Sequence, residues 1–215
     1  MGLTVRDSGG GGSFTPVPPG MHLARCYRVI DMGTQTTTWQ GKEKQQPKVM
    51  LQFEVHSEDA DGKPLVTDKG EPLSISKNFT ASLGEKAALR AELENWRSRG
   101  FTADELAGFQ LKNVLGAWAM LSVVKEQGKD GKEYTNITSI NPVPASMKKA
   151  GLPEGHNELK IFDIDSPDMA LFETFGQRMR EKIEASPEWQ QRGSPAQQSS
   201  SGGSKFEDMT DDIPF

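Results

Sequence analysis

The stretch from Lys48 to His56 constrains this chain more than any other. Val49, Leu51, Phe53 and Val55 alternate there with Lys48, Met50, Gln52, Glu54 and His56. A period of two puts the first set on one face of an extended strand and the second on the other, which demands a sheet with a buried face. Leu73 to Thr80 repeats the pattern, with Leu73, Ile75 and Phe79 on one side. Met21 to Met32 is also extended in character, but its alternation is imperfect. Leu23, Tyr27 and Val29 share a face with Arg25 and Asp31, while Ala24, Cys26, Arg28 and Ile30 share the other, so neither face is selected.

A helix is predicted next. Ser82 and Glu85 have capping-box spacing, Leu89, Leu93 and Trp96 fall at i, i+4 and i+7, and Gly100 is a stop signal. Thr102 and Glu105 repeat the capping-box spacing for a short turn to Ala107. Asn113 to Val124 reads as a fourth strand, Asp130-Gly131 as a hairpin turn, and Glu133 to Ile140 as a fifth strand ended by Pro142. The order β-β-β-α-β-β is that of a mainly β fold with helices, the OB-fold. This is a five-stranded Greek-key barrel with a helix between strands three and four. A different barrel or a ferredoxin-like sheet is the alternative.

The chain divides by composition. Residues 1–13, with Gly9 to Gly12, read as a flexible arm. Residues 14–142 form the expected barrel domain. Residues 143–185 are irregular, with a short strand expected between Glu158 and Ile164. An amphipathic helix then starts at Ser166, with Phe172, Phe175, Met179 and Ile183 as its stripe. Residues 186–215 pass through Ser, Gln and Gly, a linker composition, to an acidic tip.

Several function classes drop out. No run approaches the roughly 18 apolar residues of a spanning helix, so no membrane partner is expected. Cys26 is the only cysteine, and His22, His56 and His156 lack metal-ligand spacing, so neither disulfides nor a zinc site is expected. No signal peptide is read, which makes the expected location cytoplasmic. The chain lacks a phosphate-cradling GxxxxGK[ST], a GxSxG and an HExxH, so neither catalysis nor a cofactor is expected. Net charge is −5, yet residues 14–142 carry sixteen basic and sixteen acidic side chains, so the excess acid lies outside the barrel. A neutral domain can bind a polyanion if its basic groups share a face.

The tip is the sharpest motif. Asp211 and Asp212 precede Ile213, Pro214 and Phe215, whose ring and α-carboxylate suit an apolar pocket with a basic rim. The sequence DDIPF closely resembles the C-terminal tip of bacterial single-stranded DNA-binding proteins, whose acidic tails recruit replication and repair proteins. The rest is more similar to phage-encoded single-stranded DNA-binding proteins. Arg25 to Gln35 (RCYRVIDMGTQ) and Ser82 to Phe109 carry that resemblance, which spans most of 16–142. It implies an OB-fold, binding without catalysis, a role in DNA replication, recombination or repair, and the host cytoplasm as the location.

Candidate DNA contacts follow from the residues themselves. OB-folds bind strands between the loop joining strands one and two and the loop joining strands four and five. The first loop, Gly33 to Lys48, holds Trp39, Lys42, Lys44 and Lys48. The second, Lys125 to Lys132, holds Lys125, Lys129 and Lys132, followed by Tyr134. Lysines pair with phosphates, and rings stack bases at about 1–3 kcal/mol each. Arg25 and Lys77 are further candidates for the groove. Phe53, Phe79, Trp96 and Trp118 are expected in the core. The expected partners are single-stranded DNA and, through Asp211 to Phe215, replication and repair proteins. The helix after Ser166 is a possible homo-oligomer contact. The competing reading is a protein-interaction adaptor that mimics a recruiting tail without binding DNA. A recombination nuclease or annealing enzyme is a third, with metal-dependent cleavage resting on Asp59 and Asp61.

Overall fold

The computed structural model describes residues 15–39, 41–128 and 131–192, apart from the side chain of Trp39. The strands are β1 (Gly20–Trp39), β2 (Lys42–Val55), β3 (Ser74–Thr80), β4 (Trp118–Gln127), β5 (Glu133–Asn141) and β6 (Lys160–Phe162). Five of them form an antiparallel sheet in the order β3-β2-β1-β4-β5, and β6 adds parallel to β1. The backbone ladder stops at β3 and β5, so the sheet is open where a closed barrel was expected.

Side chains bridge those two edges. Lys77 on β3 donates from Nζ to the Thr138 carbonyl of β5 at 3.1 Å and pairs with Glu92. Glu92 lies on α1 (Ala88–Arg97), where its Oε2 accepts from the Ile140 amide at 2.8 Å; Asn95 of α1 donates to the Ile140 carbonyl at 2.8 Å. The helix thus occupies the gap between β3 and β5.

The alternation of β2 settles the inner face. Val49, Leu51, Phe53 and Val55 are at most 3% exposed and pack with Leu89, Leu93 and Trp96 of α1, as the helical stripe requires. The Trp96 ring lies 5.7 Å from Phe53, and its Nε1 donates to the Trp118 carbonyl at 2.8 Å. Phe79 and Cys26 also sit in this core, and burial pushes the Cys26 thiol up to about 12.

The imperfect alternation of β1 has a structural cause. Its register against β2 shifts between Cys26 and Arg28 and again between Asp31 and Gly33. Each bulge inserts a residue and reverses which parity faces inward. Cys26 and Val29 therefore share the first core, while Ile30 and Met32 face a second one on the outer side of the sheet. That second core collects Met50 with Phe162 and Ile164. It takes Leu171 and Phe172 from α4 (Met169–Glu173), then Phe175, and Ile183 from α5 (Gln177–Glu184). Each such side chain contributes about 1.5–3 kcal/mol on full burial.

Several expected boundaries are corrected. The Ser82 hydroxyl accepts from the Gly84 amide at 3.2 Å in a local turn, so helix α1 starts six residues later with Ala87 as an N-cap that lacks a side-chain bond. The second capping box does form, with Thr102 and Glu105 bonded reciprocally ahead of α2 (Ala103–Gly108). The start of the fourth strand is a 3-10 turn, Leu111–Val114, and β4 begins at Trp118. A further short helix, α3 (Ala145–Ala150), follows β5.

The helix expected from Ser166 is two helices, because Gly176 is extended and caps α5. The stripe residues Phe172, Phe175 and Ile183 still meet in the second core. Residues assigned to the linker by composition instead begin with α6 (Pro187–Gln191), capped by Ser186. Trp189 of α6 stacks on Phe172 at 4.6 Å, which anchors it to the second core. Among the described residues, no helix is long and apolar enough to cross a membrane.

Candidate nucleic-acid interface

The outward side of β2 and β3 is a ladder of paired side chains. Register places Lys48 beside Thr80, Met50 beside Asn78, Gln52 beside Ser76 and Glu54 beside Ser74. This face is polar except at Met50, where the second core begins.

The segment 33–48 was expected to be a loop. It is instead the two-stranded end of β1 and β2, paired from Gly33–Lys48 to Trp39–Lys42 and turned at Gly41, whose φ is 74°. Five consecutive residues on β1, Thr34 to Thr38, are four threonines and a glutamine, and the threonines favour this extended arm over an irregular loop. Its base is clamped. Gln35 donates to the Met32 carbonyl at 2.7 Å and to the Lys182 carbonyl of α5 at 2.8 Å. Thr34 donates from its amide to Glu188 at 2.9 Å and from its hydroxyl to the same carboxylate at 2.5 Å. Lys42 and Lys44 are exposed on this arm.

Two clefts cross the outer face. The first, about 630 Å³, lies between the arm, β2, β3 and α5. Lys48, Lys77, Arg178 and Lys182 line it, and no acidic side chain does among the described residues. The second, about 680 Å³, runs from Gln52 and Ser76 to Tyr134 and the β4–β5 hairpin. Asn78 lines both, so the two adjoin there.

The expected site residues divide accordingly. Lys48 lies in the first cleft, with Nζ donating to Thr80 Oγ1 at 2.8 Å. Lys77 also reaches it, although its ammonium is held by Glu92 and Thr138. Tyr134 is 47% exposed in the second cleft. Lys125 stands near that hairpin and pairs with Glu133 at 2.6 Å; Lys132 is exposed beside it. Lys129, the Trp39 side chain and the tip Asp211 to Phe215 lie outside the described residues.

Arg25 belongs elsewhere. Its Nε donates to Glu54 at 2.7 Å and its Nη2 to the Asn157 carbonyl at 2.5 Å, at the far end of the β2–β3 ladder. A Cβ on Gly155 would overlap the Arg25 guanidinium, so the connection 155–157 fits directly over it. Glu54 is fully buried there. Burial alone would raise its carboxyl, but the Asn157 amide and side chain, His56 and Arg25 outweigh it and hold the group below the ordinary carboxylate range. This arrangement is a structural clasp that joins the C-terminal segment to the sheet.

Arg178 and Lys182 were not singled out from the sequence. They stand at i, i+4 on either side of Met179, a stripe residue, and that spacing was the available signal. The acidic groups Asp59 and Asp61 serve a turn, in which Asp59 Oδ1 accepts from the amides of Asp61 and Lys63 at 2.9 Å. No cluster of three metal-ligating side chains occurs among the described residues. In comparisons with known proteins, no family model matches this chain and no curated protein matches it.

Proposed function

We propose that this protein is a noncatalytic single-stranded DNA-binding protein built on an OB-fold. It coats single strands during phage DNA replication and recombination and recruits partner proteins through its acidic tip. The strand order β3-β2-β1-β4-β5, with α1 between the β3 and β5 edges, supports the OB-fold reading. The single observation that carries the binding proposal is the pair of clefts that adjoin at Asn78 across β2 and β3. They run from the β1–β2 arm to the β4–β5 hairpin; the first is lined by Lys48, Lys77, Arg178 and Lys182, the second by Tyr134 together with Glu126 and Glu133. A flexible polyanion needs such a track, with cations for phosphates and exposed rings for bases.

The test is a titration of the full chain with a fluorescent poly-thymidine oligonucleotide and a duplex control at several salt concentrations. Tight binding of the single strand that weakens with salt is expected. No binding at low salt would overturn the proposal and favour the adaptor reading, in which only the tip Asp211 to Phe215 is functional.

A further inference from the structure

The first cleft differs from the rest of the outer face in one respect: its second wall comes from α5, outside the five-stranded sheet. On that wall, Arg178 and Lys182 stand one helical turn apart, and both line the cavity. Like charges at this spacing repel each other. Lys48 faces them from β2, and the Lys182 carbonyl is fixed to the arm by Gln35. The acids of α5 do not compensate. Glu181 accepts from Gln177 at 2.8 Å, and neither it nor Glu184 lines the cleft. Between the cations the lining is apolar, with Met32, Met50 and Met179. An apolar floor under convergent cations fits a flat ring that carries a phosphate. At about 630 Å³ the cavity is large enough for one nucleotide.

We propose that this cleft seats one nucleotide of the bound single strand. Its base lies against Met50 and Met179, and its flanking phosphates are held by Arg178, Lys182 and Lys48. The C-terminal segment is then part of the binding surface as well as its support. This inference rests on the single-strand-binding reading and extends it to residues outside the sheet.

The experiment compares the full chain with its Arg178→Gln, Lys182→Gln double variant. Thymidine oligonucleotides are titrated from 50 to 200 mM salt, with thermal melts to check folding. Each phosphate contact on a single strand adds about 0.7 to the salt slope, so losing two lowers it by ~1.4. Over that fourfold salt range, the variant loses roughly sevenfold less affinity than the wild type. A variant that melts like the wild type and keeps its slope and affinity would overturn the cleft assignment while leaving strand binding intact. A wild-type chain that ignores the oligonucleotide would sink both readings. An independent measurement on the unaltered chain uses 5-iodouracil oligonucleotides. Photocrosslinks are expected at Met50 or Met179, and crosslinks confined to the two hairpins would refute the pocket.

Discussion

Changing Glu54 to Gln tests the clasp most directly. Four hydrogen-bond donors converge on this buried carboxylate, and His56 Nε2 also lies 3.1 Å from Oε1. Arg25 Nε, at 2.7 Å, and the His156 amide, at 3.0 Å, share Oε1. The Asn157 amide, at 2.7 Å, and the Asn157 side chain, at 2.6 Å, share Oε2. Glutamine keeps the shape but offers one oxygen. In either orientation its NH2 group faces two donors, and the Arg25 charge loses its counter-ion. Breaking a buried pair in this way costs about 3–5 kcal/mol. For a chain of this size that lowers the melting temperature by ~6–20 °C.

The sign of the pH effect is fixed as well. The folded carboxyl titrates below its unfolded value, so its contribution is complete above the unfolded value and is lost as pH falls through the folded one. The difference in melting temperature between wild type and Glu54→Gln is therefore full at pH 7 and narrows below about pH 4. Circular dichroism melts at pH 7 and pH 3 read both quantities. A variant melting within about 2 °C of the wild type at pH 7, or a gap indifferent to pH, would refute the reasoning.

Other positions give separate tests. Gly33 has φ 64°, and a Cβ there would sit 2.5 Å from Ser186 Cβ; Gly33→Ala should destabilise by about 2–4 kcal/mol in denaturant titrations. Ser98 ends α1 at φ 53°, so Ser98→Gly should raise the melting midpoint, by about 1 kcal/mol of stability. Thr102→Ala removes one half of a formed capping box and should lose about 1 kcal/mol by the same melts. The Glu105 carboxyl is held down to about 2, chiefly by Arg99 and the Thr102 amide, so NMR titration should find it ionised at pH 3. Its contribution is lost only as pH falls through that value.

Where local chemistry and packing agree, the sequence was legible. β2 reads correctly because all four of its inward residues are apolar and no bulge interrupts them. The α1 stripe reads correctly for the same reason. β1 defeats a period of two because its bulges at Tyr27 and Met32 hand the strand from one core to the other, and a bulge has no signature in hydropathy. Ser82 and Thr102 carry the same capping pattern, yet only Thr102 caps, because the Ser82 hydroxyl is taken by Gly84. Lys48 and Tyr134, singled out from their places near hairpins, line the two clefts. Arg25 was misplaced because its partner Glu54 is 29 residues away and buried. Arg178 and Lys182 join the candidate site only through the packing of α5, which residue spacing alone does not reveal.

The two cores also set an order of events during synthesis. Every residue of the first lies between Val17 and Ile140, whereas the second needs Phe162 to Ile183 and the flanking Trp189. Roughly fifty residues separate the two completions, an interval of ~2–10 s at ordinary elongation rates. During that interval Ile30, Met32 and Met50 have no cover on the outer face of a sheet that is otherwise assembled. The nascent chain therefore passes through a stage with a sticky apolar patch, where chaperone capture or aggregation of the half-made protein would start. A ribosome paused between codons 140 and 190 would prolong it.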